Sequence, residues 1–178
     1  MTVLDEVLLF ELTLHPDERG HFREVYHAER MGPMGLDGFV PVQQNVSANV
    51  RGALRGIHAE PWNKFIHVQH GEAFSVIVDL RPESTTFGAH QAFTLTPEVA
   101  LYVPKGFGNS FQAVSDTAVY SYLVDAHWQA GLVYPAVAFD DPDLAIEWPI
   151  TDGEMIVSDK DRKNPSLREC AASLGITL

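Results

Sequence analysis

Short segments of alternating apolar and polar residues, separated by turn residues, run through most of this chain and limit the folds open to it. The first lies at 7–14, and the others lie at 40–47, 53–58, 64–70, 73–80, 90–96, 99–103, 109–114 and 117–125. Glycine, proline, aspartate and serine fill the gaps, as in the turn at 16–20. Many short strands at regular spacing predict an all-β sandwich or barrel and disfavour alternating β–α–β units.

Helical signals are few and lie at the edges of this pattern. A polar segment at 27–31 predicts one early helix, 32–38 is interpreted as a loop, and 165–174 predicts a small helix near the end. A chain of 178 residues fits one domain that buries a core without disulfides. We therefore expect a single domain over 1–178, with the segment 142–178 packing on the barrel.

Charge and cysteine content narrow the range of partners. The chain has 24 acidic and 12 basic residues and a net charge of −12, which repels phosphate backbones and disfavours nucleic acid as a partner. Cys170 is the single cysteine, so an internal disulfide is excluded and a reducing cytosol is favoured. No signal peptide is recognised, and the apolar runs are too short to span a bilayer. We expect a cytoplasmic protein without a membrane partner.

The segment 44–64 combines residue types suited to proton transfer on an anionic substrate. Gln44 and Asn45 precede Leu54-Arg55-Gly56-Ile57-His58, and Lys64 follows six residues after the histidine. An imidazole accepts a proton near neutral pH, and a nearby cation stabilises the negative charge that results. These residues alone leave a second interpretation open, in which a surface Arg and Lys flank an ordinary core histidine.

Alternation along the strands predicts which side chains share a face. Lys64 shares a face with aliphatic residues of its strand, which is typical either of an edge residue or of a charge in a pocket wall. Tyr122 shares a face with a second tyrosine two residues earlier, which is more often core packing than acid catalysis. Perfect alternation sends Arg55 and His58 to opposite faces, and only a bulge or bend at Gly56 brings both to one pocket.

Taken together, these segments resemble the dTDP-4-dehydrorhamnose 3,5-epimerase family, and the match covers nearly the whole chain. The matching motifs, in order, are Asp17-Glu18-Arg19-Gly20 with Glu24, Gln44-Asn45-Val46-Ser47, Leu54-Arg55-Gly56-Ile57-His58 with Lys64, Val78-Asp79-Leu80-Arg81, Pro104-Lys105-Gly106-Phe107, Ile146-Glu147-Trp148-Pro149 and Val157-Ser158-Asp159-Lys160-Asp161. The resemblance implies an all-β fold, a cupin-type jelly-roll barrel with short peripheral helices.

The resemblance also implies an activity and a set of residues. The activity is cofactor-independent epimerisation of a nucleotide-linked 4-keto-6-deoxyhexose, with dTDP as the expected nucleotide, at C3, C5 or both through an enolate. The implied base, the carboxylate that orients it, the acid and the cation for the enolate oxygen are His58, Asp161, Tyr122 and Lys64. The implied substrate-binding residues are Arg55 for the diphosphate, Arg19, Glu24, Gln44 and Asn45 for the nucleotide, and Asn109 and Lys160 for the sugar side. A homodimer is expected, because the family exchanges N-terminal strands between subunits.

Departures from the family pattern cluster around the sugar and keep alternatives open. Asn109 stands where a second pocket histidine is usual, and Glu60 stands where glutamine is usual. The number of inverted carbons therefore stays open, as do a 3,4-ketoisomerase and a non-catalytic nucleotide-sugar-binding module. A metal-binding cupin is disfavoured, because His67 and His70 lie an odd number of residues apart and point to opposite faces of one strand.

Overall fold

In the computed structural model, which describes residues 4–151 and 153–178, the chain forms twelve β-strands and two short α-helices. The strands are β1 (Leu8–Glu11), β2 (His15–Asp17), β3 (Gly20–Phe22), β4 (Gln43–Val50), β5 (Ala53–His58), β6 (Lys64–His70), β7 (Ala73–Asp79), β8 (His90–Leu95), β9 (Val99–Val103), β10 (Phe107–Ala113), β11 (Thr117–Val124) and β12 (Ile156–Val157). The helices are α1 (Ala28–Met31) and α2 (Leu167–Ser173), with 3-10 turns at Gly32–Met34 and Asp161–Lys163. None of the helices in the described segments is long and apolar enough to cross a bilayer.

Ten of these strands form two five-stranded sheets that face each other as a jelly-roll barrel, the fold that the family resemblance implies. The first sheet has the order β1-β9-β6-β11-β4, and the second has the order β12-β5-β10-β7-β8. All pairings within the sheets are antiparallel except the parallel pairing of β12 with β5. The remaining strands, β2 and β3, form a separate hairpin.

Three hydrophobic clusters follow from the alternation of side chains along the strands. The cluster between the sheets contains Ile66 and Val68 of β6, which confirms the face predicted for them. Phe65 has a side chain on the opposite face of β6 and lies in a second cluster, which the N-terminal segment covers. Val76 and Val78 of β7 lie in a third cluster on the outside of the second sheet. Each sheet is therefore buried on both faces over much of its area.

The C-terminal segment covers the outside of the second sheet. Trp148 and Leu167 belong to the same buried cluster as β7, so this segment and the barrel share apolar contacts. Asp141 accepts hydrogen bonds from the backbone N–H of Leu144 at 3.1 Å and of Leu167 at 2.8 Å. The carboxylate thereby ties the loop after β11 to the first residue of α2.

Proline and glycine explain where the strand predictions are wrong. The predicted strand 7–14 ends at Glu11, and the predicted turn at 16–20 contains the turn at 18–19 that joins β2 and β3, with Gly20 at φ +134°. The predicted strand 40–47 lies three residues later, because Pro41 has no N–H to donate to a ladder. The two-residue strand β12 is too short for periodicity to reveal.

His67 is a buried histidine outside the cavity and gives stability a predictable pH dependence. Its side chain faces outward from β6 and is 4% exposed, and Nδ1 has no hydrogen-bond partner among the described residues. Burial, with a smaller contribution from the nearby Arg23 charge, lowers the pKa of His67 from 6.5 to about 4. The unfolded chain therefore binds the proton more readily than the folded protein between these pH values, and stability is lost as the pH falls through this window.

We expect acidification from pH 7 to about pH 4.5 to lower the free energy of unfolding of the wild type by about 2 kcal/mol more than that of His67→Gln. Urea unfolding at both pH values measures the difference. His70→Gln is the matched control, because His70 is exposed at the end of the same strand and should keep the wild-type dependence. Identical pH dependence of wild type and His67→Gln contradicts the expectation.

Candidate active site

A cavity of about 290 Å³ opens between the two sheets at one end of the barrel. Most of its lining side chains come from strands of both sheets, and the rest come from the loop between β5 and β6 and from the C-terminal segment. They are Ser47, Arg55, His58, Glu60, Lys64, Asn109, Phe111, Tyr120, Tyr122, Ser158, Lys160 and Asp161. Seven of the eleven residues predicted from the sequence thus meet in one place.

A bulge in β5 brings Arg55 and His58 to the same cavity. His58 pairs with Asn109 and Arg55 pairs with Phe111, so β5 has one residue more than β10 over this stretch. Gly56 lies at the bulge with φ +127°, and a Cβ there would lie 2.7 Å from the Cα of Ser110. The predicted bulge is confirmed, and it requires glycine because the two backbones approach so closely.

His58 and Asp161 form a hydrogen-bonded dyad on the second sheet. The distance between His58 Nε2 and Asp161 Oδ1 is 2.8 Å, and the side chains are 18% and 6% exposed. Burial raises the pKa of Asp161, but the hydrogen bond and charge of His58, with smaller contributions from Gly56 and Ser158, outweigh it and hold the pKa below its usual value. The carboxylate is therefore ionised and accepts the Nε2 proton, which leaves the lone pair of Nδ1 available as a base.

The parallel pairing of β12 with β5 places Asp161 next to His58. Because the two strands run in the same direction, the residues that follow β12 travel beside the end of β5. The chain then turns into a 3-10 helix, where the Asp161 N–H donates to Ser158 Oγ at 3.1 Å. Asn164 Nδ2 donates to the carbonyl of Gly56 at 3.3 Å, which ties this turn to the bulge.

Tyr122 lies on β11, in the sheet that faces the His58 dyad. Asn45 is its cross-strand neighbour on β4 and hydrogen-bonds with the phenol. Burial raises the pKa of Tyr122, and the charge of Glu60 raises it further. The phenol is thus held in its protonated form, as a proton donor must be.

The inner wall of the cavity combines a cation, an anion and an aromatic stack. Lys64 at the start of β6 is salt-bridged to Glu60, and the lysine side chain is only 3% exposed. Phe111 and Tyr120 stack with ring centroids 3.8 Å apart, and the Tyr120 hydroxyl donates to Asn109 Oδ1 at 3.1 Å. Asn109 is therefore held by a hydrogen bond on the cavity wall.

Lys160 and Tyr134 form the rim beside the dyad. Lys160 Nζ donates to the Tyr134 hydroxyl at 3.2 Å, and the Tyr134 ring contacts the His58 ring edge-on at 5.9 Å between centroids. Arg55 is exposed at the cavity, and its Nε donates to Asn49 Oδ1 at 2.9 Å. Two exposed cations, Arg55 and Lys160, therefore lie at the opening of the cavity.

Four predicted substrate-binding residues do not line this cavity. Arg19 lies on the exposed hairpin of β2 and β3, with its side chain 83% exposed, and Glu24 is ion-paired with Arg30. Gln44 faces outward from β4 and donates to Ser121 Oγ at 3.1 Å. Asn45 contacts Tyr122 without lining the cavity. The roles of these four residues remain predictions.

Five further residues lie at the cavity or its rim and are not among the residues predicted from the sequence: Ser47, Phe111, Tyr120, Ser158 and Tyr134. Alternation was a usable signal for three of them, because each lies two residues from a predicted site residue on the same strand. Ser158 and Tyr134 lie in irregular segments, where no periodicity exists to reveal them. Within residues 4–151 and 153–178, no group of three or more His, Cys, Asp or Glu side chains is arranged to hold a metal ion.

Comparison with known proteins gives consistent matches over the whole chain. The family described as dTDP-4-dehydrorhamnose 3,5-epimerase matches residues 1–169. The dTDP-4-dehydrorhamnose 3,5-epimerase of Methanothermobacter thermautotrophicus is 36% identical and covers 94% of this chain and 93% of its own length. A dTDP-4-dehydro-6-deoxyglucose 3-epimerase of a Streptomyces species is 34% identical, over 88% of this chain and 82% of its own.

A solved structure shows the same fold. The dTDP-6-deoxy-D-glucose-3,5-epimerase of Legionella pneumophila Philadelphia 1, in complex with dTDP-4-keto-L-rhamnose, superposes with a TM-score of 0.89. It is 31% identical and covers 99% of this chain and 96% of that chain. The fold and the site together define a cupin-type jelly-roll isomerase with an acid–base cavity between its sheets. The chain belongs to the dTDP-4-dehydrorhamnose 3,5-epimerase family, as its motifs indicated.

Proposed function

We propose that this protein is an epimerase that acts on a dTDP-linked 4-keto-6-deoxyhexose and inverts C3, C5 or both without a cofactor. The observation that carries the proposal is one cavity that holds a carboxylate-backed imidazole on one sheet and a protonated phenol on the other. A base and an acid on opposite walls can remove a proton from one face of a sugar ring and return one to the other face. Family membership identifies the substrate class.

The proposed reaction proceeds in two proton transfers. The 4-keto group acidifies the neighbouring C–H bond, and His58 Nδ1 takes the proton while the bonding electrons move to the ketone oxygen. The Lys64 ammonium stabilises the enolate oxygen, and Asp161 stabilises the imidazolium. The Tyr122 hydroxyl then donates its proton to the carbon from the opposite face, the ketone re-forms, and solvent restores both side chains.

The positive charges at the cavity opening support an anionic nucleotide sugar as the substrate, although the net charge of the protein is −12. Arg55 and Lys160 lie at the opening, and the guanidinium offers a planar fork that matches a diphosphate. Nearby cations dominate the potential in a cleft with low-dielectric walls, whatever the overall charge. We assign the sugar to the inner cavity and the diphosphate to this opening.

Incubation with dTDP-4-keto-6-deoxyglucose in deuterated buffer tests the proposed function. Deuterium at C3 and C5 of the product indicates double epimerisation, and deuterium at one carbon indicates a single-site epimerase. A ketone that has moved from C4 to C3 indicates a ketoisomerase, the alternative that Asn109 in place of a histidine leaves open. Nucleotide binding without any exchange contradicts catalysis and indicates a binding module.

We also propose a homodimer in which the hairpin of β2 and β3 reaches the cavity of the partner subunit. Phe22 on this hairpin is 69% exposed, and Arg19 at its turn projects into solvent. Val46 and Val50 on the outward face of the edge strand β4 are each 58% exposed. An uncharged edge strand with exposed apolar residues favours pairing with a second copy.

Mixing two inactive variants tests the origin of Arg19. If Arg19 serves the partner's cavity, random mixing of Arg19→Ala and His58→Ala subunits restores about a quarter of the wild-type sites, because each mixed dimer contains one complete cavity. Turnover after co-refolding measures the recovery. Mixing His58→Ala with Asp161→Ala is the control, since these residues share one cavity and no mixed dimer is complete. Equal absence of activity in both mixtures contradicts the proposal.

Three further expectations accompany this function. The shared cluster of barrel and C-terminal side chains supports a single domain over 1–178. The lone Cys170, which is buried and unpaired, supports a reducing cytoplasm as the working compartment. The acidic surface supports a small-molecule substrate and disfavours nucleic acid as a partner.

A further inference from the structure

A buried ion pair on the cavity wall contains a residue to which the proposed reaction gives no role. The Lys64 ammonium is salt-bridged to Oε2 of Glu60, and the two side chains are 3% and 14% exposed. Both line the cavity together with His58. A buried ammonium is strongly unfavourable without a counter-charge, so the carboxylate of Glu60 is what allows Lys64 to occupy this wall.

The negative charge of Glu60 also acts on the phenol of Tyr122, the proposed acid. The charged and titratable groups that act on the Tyr122 phenol or line the cavity with it are Glu60, Tyr134, Arg55, His58, Lys64, Tyr120, Lys160 and Asp161. Burial is the largest influence on the Tyr122 pKa and raises it. Glu60 and Tyr134 raise it further, whereas Arg55 lowers it.

We infer that Glu60 is a positioning residue, which fixes the Lys64 ammonium where the enolate oxygen forms and extends the alkaline pH range over which the Tyr122 phenol stays protonated. The inference rests on the proposed epimerase reaction. Glu60 performs the first task through contact, because a lysine side chain without a partner samples many rotamers. It performs the second task through charge alone. Contact and charge can be separated by substitution.

Two variants of Glu60 separate the tasks. Glu60→Gln keeps the shape and an oxygen for Lys64 but removes the charge. The pH at which kcat declines on the alkaline side of its pH profile should be about one unit lower than in the wild type, and kcat itself should fall about tenfold. Glu60→Asp keeps the charge but shortens the side chain by one methylene. It should keep the alkaline limb of the wild type while its kcat falls, because the ammonium is no longer held in place.

Binding of dTDP alone gives a readout that a merely structural role would not produce. Glu60→Gln removes a negative charge from an anion-binding cavity, so its affinity for dTDP in calorimetry should rise several-fold although its turnover falls. Loss of a residue needed only for folding weakens binding and activity together. Glu72→Gln is the matched control, because Glu72 is exposed at the turn between β6 and β7 and makes the same charge change away from the cavity.

Each outcome of these experiments either supports or overturns the role of Glu60. A Glu60→Gln enzyme with the wild-type kcat and alkaline limb overturns it, as does weaker dTDP binding in a variant with unchanged thermal unfolding. If Glu60→Gln does not fold, Glu60→Asp with the wild-type kcat overturns the positioning of Lys64. Absence of turnover in the wild type refutes the proposed function itself, whereas an effect missing only in the variants refutes Glu60 alone.

Discussion

Replacement of His58 by alanine is expected to reduce turnover and solvent deuterium incorporation about a thousandfold, within the range for loss of a general base. The reason is that, in the proposed reaction, Nδ1 of His58 acts as the base while Nε2 is held by Asp161 at 2.8 Å. Affinity for dTDP should change by no more than a few-fold, because Arg55 and Lys160 stay in place. Proton NMR of the sugar measures exchange, and calorimetry measures binding.

His70→Ala is the matched control for this result. His70 is exposed at the far end of β6 and does not line the cavity, so its removal should leave exchange at the wild-type rate. A His58→Ala enzyme that retains normal exchange contradicts the assignment of the base. A variant that loses dTDP binding together with exchange contradicts the separation of chemistry from binding.

Tyr122→Phe is expected to lower the rate of product formation about a hundredfold while the substrate proton still exchanges with solvent. In the proposed reaction, enolate formation needs only His58 and Lys64, whereas completion of the inversion needs a proton donor on the opposite sheet. Exchange into recovered substrate and inversion in product are therefore expected to separate. A time course of deuterium in both species by mass spectrometry measures the two rates.

Tyr102→Phe provides the comparison for the loss of a phenol hydroxyl. Tyr102 lies on β9 against Phe39, away from the cavity, and its variant should match the wild type in both rates. Parallel loss of exchange and inversion in Tyr122→Phe contradicts a role as the acid alone and indicates that the phenol also helps to form the enolate.

Much of the fold was predictable because the barrel is built from periodic strands. The alternation of β6 placed Lys64 with Ile66 and Val68, and the structure confirms that face. The misplaced N-terminal elements arise where non-periodic features decide the backbone. Pro41 delays the start of β4, and the short strands β2 and β3 that flank the predicted turn at 16–20 were not predicted.

The candidate site was less predictable from local pattern, because it depends on contacts across the whole chain. The bulge at Gly56 was predicted from a conflict between two residue assignments, and the register of β5 with β10 confirms it. The contact between Glu60 and Lys64 has no periodic signal, because it forms across the loop between β5 and β6. The placement of Asp161 depends on β12, which is too short to recognise from the sequence.

The late position of β12 along the chain makes the His58–Asp161 dyad a non-local feature. The two residues are 103 positions apart in the sequence. Their contact therefore depends on the pairing of β12 with β5, and a substitution that separates these two strands should leave the imidazole without its carboxylate even though every cavity residue is unchanged.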